Sequence, residues 1–146
     1  ARALERGYVL TIDYGERATD LYSPANSAGT LVCYHPHAAP KDPYEHIGEQ
    51  DITCHVDFTT LMRLGERNGL TTLGYVPQRE FLTNLGFAAF LGALEAQGLS
   101  EARETLSRMA MTALVDPEEY GDLKVLAQAK GMGSSVALRG FAARTT

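Results

Sequence analysis

At 146 residues, 45% of them apolar and 21% charged, the chain is long enough for one domain with a sizeable core. Its net charge is -5 and its 13 basic residues are scattered, which argues against a nucleic-acid surface or an anionic membrane as the main partner. No apolar run approaches the roughly 20 residues of a membrane helix, and the first residues lack a secretion-signal pattern. A reducing, cytoplasmic setting is expected, with Cys33 and Cys54 as free thiols.

The elements follow in chain order. Ala1 to Gly7 reads as the last turn of a helix, with Arg2 and Arg6 at its negative end and Gly7 at the left-handed C′ position. A helix without a beginning leads to the expectation that a longer protein continues upstream of residue 1. Tyr8 to Ile12 is a buried strand that leaves through Asp13-Tyr14-Gly15. From Glu16 to Cys54 no period is sustained, and four prolines interrupt the run; a connection this long is usually functional when ordered. Thr30 to Tyr34 is a short strand candidate inside it.

Asp57 caps a helix with Phe58, Leu61, Met62 and Gly65 inward, and Asn68-Gly69 stops it. Leu70 to Val76 is the second strand. A helical region from Gln78 continues past Gly86 to Gly98, with Phe87, Phe90, Leu91 and Leu94 at helical spacing. Ser100 caps the next helix, in which Leu106, Met109, Ala110, Ala113 and Leu114 repeat at three and four. This spacing marks the Phe and Met stripes as core. Leu123 to Ala129 is the third strand, Gly131-Met132-Gly133 a turn, and Val136 to Phe141 a last short strand. Strands alternating with helices give an α/β layer architecture, a single domain over 1–146.

Three places carry chemistry. Asp13 lies just beyond the carboxyl end of a buried strand, the edge where open α/β sheets bind ligands; a turn-shaping Asp is the alternative. All four histidines, His35, His37, His46 and His55, fall in the long connection or directly after it. No spacing there belongs to a known metal site, so no metal is expected. In Asp51 to Phe58, the polar residues Asp51, Thr53, His55 and Asp57 alternate with Ile52, Cys54, Val56 and Phe58. An extended chain sends the polar set to one face. Carboxylates, a hydroxyl and an imidazole on one face could orient an amine or guanidinium and take its proton. Turn shaping by Asp51 and Thr53, and helix capping by Asp57, stand as the other reading. Capping is preferred for Asp57, and both readings stand for His55. Gly131 to Ser135 lacks the lysine of a phosphate loop and reads as a turn.

The run Gly7-Tyr8-Val9-Leu10-Thr11-Ile12-Asp13-Tyr14-Gly15 resembles the strand and Asp-Tyr-Gly signature of the MidA family of methyltransferases. Gly29-Thr30-Leu31 with Tyr34 and His37, Asp42-Pro43, Gly48, Asp51 to Phe58, Gln78-x-x-Phe81-Leu82 and Leu85-Gly86 follow in the family's order. Cys54 stands where Ala is expected, Ile47 where Pro often precedes the Gly, and the fit loosens around Tyr120-Gly121. The family's Gly-rich cofactor loop is not in the chain.

The resemblance implies the C-terminal half of a class I, Rossmann-like methyltransferase sheet, with Tyr8 to Asp13 as its fifth strand, Leu70 to Val76 its sixth and Leu123 to Ala129 its antiparallel seventh. It implies S-adenosylmethionine as cofactor of the parent enzyme, with only weak binding to this part. It also implies methylation of a protein arginine, a complex I subunit being the mitochondrial substrate. Asp51, Thr53 and His55 would be catalytic, with Asp13, Tyr14, Tyr34, His37, Asp57 and Gln78 on the substrate. An open sheet edge would seek the missing N-terminal half or a second copy. The competing functions are a non-catalytic assembly module and a metal-dependent hydrolase using His35, His37 and His55.

Overall fold

The computed structural model describes residues 3–35, 42–132 and 137–142. They divide into two compact units, one of residues 1–14 and 62–146 and one of residues 15–61.

The first unit is built on a three-stranded sheet in the order β1 (Gly7–Asp13), β7 (Lys124–Lys130), β6 (Thr71–Pro77). Strand β7 runs antiparallel to both neighbours, so β1 and β6 are parallel to each other. Residues 125–129 of β7 are all buried, as expected of a strand paired on both sides. The polar member, Gln128, meets the requirement that buried polar groups be bonded: its amide donates to Met62 O and Thr72 Oγ1, both at 3.3 Å. The pairing of β6 slips between Thr72 and Gly74, which accommodates one extra residue as a bulge. Strand β1 pairs on one side, and Tyr8, Leu10 and Ile12 along it are exposed.

Helices α3 (Gln78–Leu85), α4 (Phe87–Gly92) and α5 (Glu101–Ala113) lie between β6 and β7 in sequence. The expected continuous helix past Gly86 is broken, because Gly86 takes φ 98° and closes α3 as a left-handed cap. The stripes expected to be core are partly bare: Phe90, Leu106 and Met109 are 66%, 66% and 65% exposed. Helical spacing shows that a face is apolar, not that anything covers it. Gly7 opens β1 with φ 144° rather than ending a helix. The last strand expected from Val136 is also absent among the described residues. Arg139–Phe141 forms a single 3-10 turn, and Phe81 lies against Gly140 where a side chain would block it. The Phe141 and Phe81 rings pack in a tilted arrangement, with centroids 5.1 Å apart and planes at 58°.

The second unit holds β2 (Gly15–Glu16), α1 (Ala18–Leu21), β3 (Val32–Tyr34), β4 (Asp51–Thr53), β5 (Val56–Asp57) and the first residues of α2 (Phe58–Arg67). Strand β2 pairs in parallel with β5, and β3 pairs antiparallel with β4. Phe58 is fully buried, and Thr59 Oγ1 accepts the Ala18 N–H at 2.9 Å, joining α1 to α2. Both cysteines are free, Cys33 buried and Cys54 exposed. No helix among the described residues is long and apolar enough to cross a membrane.

Gly15 is the tightest point of this unit: a Cβ there would sit 2.2 Å from Val56 O and 2.7 Å from Val56 N. Gly15→Ala is expected to force β2 from β5 and cost about 2 kcal/mol or more. Gly92→Ala, which meets open space in a helix, is expected to be neutral or to stabilise by up to ~1 kcal/mol. Urea unfolding of both variants checks the contrast.

Candidate functional site

The polar cluster expected from alternation lies wholly in the second unit, but in two parts. The extended run is interrupted at Cys54 and His55, so β4 and β5 pair with different partners. In the β3–β4 ribbon, Tyr34 stands opposite Asp51 and Val32 opposite Thr53. Tyr34, Asp51 and Thr53 therefore share one face. Burial does not follow this alternation: Asp51, Ile52 and Cys54 are exposed, Thr53, His55, Val56 and Asp57 are half-buried, and Phe58 is buried. Cys33, which stands opposite Ile52 in the ribbon, is buried.

The second part is a cavity of about 390 Å³ whose lining includes Leu21, Tyr22, Thr30, Cys54 and His55. The His55 N–H donates to Thr30 Oγ1 at 3.2 Å, fixing the backbone that carries the imidazole. The Tyr22 hydroxyl reaches Asp57 Oδ2 at 3.4 Å. A phenol, a threonine hydroxyl, an imidazole and a nearby carboxylate thus come together around one opening. Tyr22 and Thr30 were not among the expected residues. Tyr22 follows the four-residue helix α1, too short to show a period, and nothing in the sequence around it marked a site.

Asp57 has a further task. Its Oδ1 accepts the Thr60 N–H at 3.0 Å, and its Oδ2 accepts the Thr60 hydroxyl at 2.6 Å. This is the capping geometry expected from the sequence. The Thr60 hydroxyl, then the Thr60 N–H, hold the carboxyl below its ordinary value of 3.8.

The remaining expected residues belong to the first unit or lie outside the described residues. Asp13 ends β1 opposite Lys124, and Lys124 stands opposite Pro77 at the end of β6. The carboxyl ends of β1 and β6 therefore share one sheet edge. Asp13 Oδ1 accepts the N–H of Tyr14 at 2.8 Å and so shapes the exit of the strand; Tyr14 is exposed. Gln78 is buried, and its amide nitrogen donates to Leu114 O at 3.0 Å and Tyr120 O at 3.1 Å. That nitrogen is committed to anchoring the segment after α5. His37 lies outside the described residues.

Residues 1–76, just over half of the chain, match a family described as "Putative S-adenosyl-L-methionine-dependent methyltransferase". The chain belongs to this family. Two solved structures from Burkholderia thailandensis are similar to it. One, an uncharacterised superfamily protein, is 34% identical over 94% of this chain and 36% of its own, with a TM-score of 0.81. The other, a superfamily member bound to S-adenosyl-homocysteine, is 34% identical over 93% of this chain and 34% of its own, with a TM-score of 0.80. The chain therefore spans about a third of the length of the solved structures it matches. No curated protein matches it.

In this methyltransferase-family chain, the Asp57 cap carries a pH signature. Because the folded carboxyl titrates below its unfolded value, its stabilisation is complete above the unfolded value of 3.8. It is lost as pH falls through the lowered folded value. Asp57→Ala is expected to cost about 1 kcal/mol at neutral pH. Urea titrations from pH 7 to pH 2 should show the parent and Asp57→Asn converging only at the acid end. A difference independent of pH would contradict the carboxylate's role.

Proposed function

We propose that the chain forms the C-terminal, substrate-side part of a class I methyltransferase of the MidA type, which transfers a methyl group to a protein arginine in the bacterial cytoplasm. The observation that carries this reading is the order β1-β7-β6, with an antiparallel strand inserted between two parallel ones. In the class I sheet the fifth, seventh and sixth strands stand in that order. The similar structure bound to S-adenosyl-homocysteine, the product of methyl donation, supports the same chemistry.

The substrate class follows from the groups in the second unit. A guanidinium has a pKa above 12, so methylating it requires acceptors that orient it and take a proton. In this reading, Asp51 orients the planar cation, the His55 imidazole or Asp51 carboxylate receives the proton, and Thr53 and Tyr34 complete the ribbon face. Asp57, held by Thr60, presents its charge beside Tyr22. The resemblance to MidA proteins makes a complex I subunit the mitochondrial counterpart of the substrate.

Cofactor binding fits this chain poorly. A nucleotide-type cofactor needs glycines that let the backbone approach it closely. Gly15, which follows β1 after Tyr14, is instead packed against the backbone of Val56. S-adenosylmethionine would then be held by the other part of a full-length enzyme.

A second reading, a non-catalytic assembly module, draws on the exposed Tyr8, Leu10 and Ile12 of β1. An apolar strand with one unpaired side seeks a partner, either the N-terminal half or a second copy. Light scattering of the chain is expected to show self-association that rises with concentration.

In the full-length enzyme, Asp51→Asn and His55→Ala are each expected to lower turnover by about a hundredfold, the scale of a lost general base, with Tm nearly unchanged. Full turnover in both would remove the catalytic assignment. Calorimetry with S-adenosylmethionine is expected to give weak or no binding to this chain alone; micromolar binding would overturn the division of labour.

A further inference from the structure

The second unit contains one cluster that methyl transfer does not use. Loop 42–50 is a compact knot of turns. Asp42 Oδ1 accepts the Tyr44 N–H at 2.9 Å, and the Glu49 N–H donates to His46 O at 2.8 Å. The Gln50 amide donates to Pro43 O at 2.9 Å and also to Glu45 O, gathering the loop around one side chain. This fold displays His46 and Glu49 together, three residues apart.

His35, directly after β3, faces them. Its ring stacks on that of His46, with centroids 4.3 Å apart and planes 20° from parallel. One ligand atom from each of His35, His46 and Glu49 lies within 4.8 Å of the other two. Bonds of about 2.0–2.2 Å to a tetrahedral ion place neighbouring ligand atoms about 3.4 Å apart, so a modest contraction brings the three into range.

We propose that His35, His46 and Glu49 bind one divalent cation of the zinc class, which pins loop 42–50 to the end of β3. Two imidazoles and one carboxylate suit zinc and its transition-metal neighbours rather than calcium or magnesium, which take oxygen ligands. Three protein ligands leave a fourth position for water. An imidazole lone pair lies in the ring plane, so binding swings the two near-parallel rings apart. His46 and Glu49 are solvent-exposed, and their movement disturbs little packing. His55, which lines the separate cavity with Tyr22 and Thr30, is not a ligand, nor is either cysteine. This differs from the His35, His37 and His55 set expected for a hydrolase.

The test is titration of the full chain with zinc chloride, followed by cobalt chloride as a spectroscopic probe. One equivalent of zinc is expected to bind, with a Kd on the order of micromolar or tighter, and to raise Tm. His46→Ala and Glu49→Gln should each weaken binding by about tenfold or more with an unchanged far-ultraviolet spectrum. The cobalt complex should lack a thiolate charge-transfer band. Absence of stoichiometric binding would overturn the proposal and leave a plain ring stack. Undiminished affinity in both variants, or a thiolate band from Cys33 or Cys54, would overturn it equally.

Discussion

Strand β7 is the constraint on which the larger unit depends. Buried from Val125 to Ala129, it can satisfy its backbone only by pairing on both sides, and it does so with β1 and β6. Full burial of Val125 and Leu126 contributes roughly 1.5–3 kcal/mol each. Because β7 runs antiparallel to both, β1 and β6 must be parallel, and their last residues arrive at one edge beside Lys124. The position of Asp13 is thus a consequence of the central strand. Gln128 adds a specific lock, since its buried amide needs Met62 O and Thr72 Oγ1 as partners.

The second unit is held differently. Its pairings are two or three residues long, and caps and side-chain bonds do much of the work: Asp57 on Thr60, Thr59 on Ala18, Thr30 on His55, Gln50 within loop 42–50. Few buried apolar side chains accompany them; among the described residues, Leu21, Cys33 and Phe58 are those of this unit. Segments of this kind open locally more easily than a core sheet, and binding loops are drawn from them. In the proposed reading, the polar groups that shape the turns also meet a charged substrate. Asp57 caps α2, and its Oδ2 also stands near the Tyr22 hydroxyl.

Legibility in the sequence tracked the length of each element. The runs Tyr8 to Ile12, Leu70 to Val76 and Leu123 to Ala129 are apolar and bounded by turn residues, and each is a strand within a residue or two of the expected limits. The Asp57 cap and the Asn68-Gly69 stop were equally legible, because capping chemistry is local. The two-residue strands β2 and β5 carry no period and could not be read. Apolar spacing carries a helical region past Gly86, whereas the left-handed conformation of Gly86 makes two helices. The alternation from Asp51 to Asp57 gathered the right residues but could not show that the chain changes partner at Cys54 and His55. His35 and His46 are eleven residues apart in the sequence, a separation from which no spacing rule predicts stacked rings.

In the proposed function, the Asp51 to Asp57 segment with Tyr22 and Thr30 receives an arginine side chain. Amide chemical shifts of the isotopically labelled protein, followed during titration with an arginine-containing peptide and with its lysine counterpart, test it most directly. Saturable shifts are expected at Tyr22, Thr30 and residues 51–57 with the arginine peptide, and markedly weaker ones with lysine. Shifts confined to other residues, or equal responses to the two peptides, would contradict it.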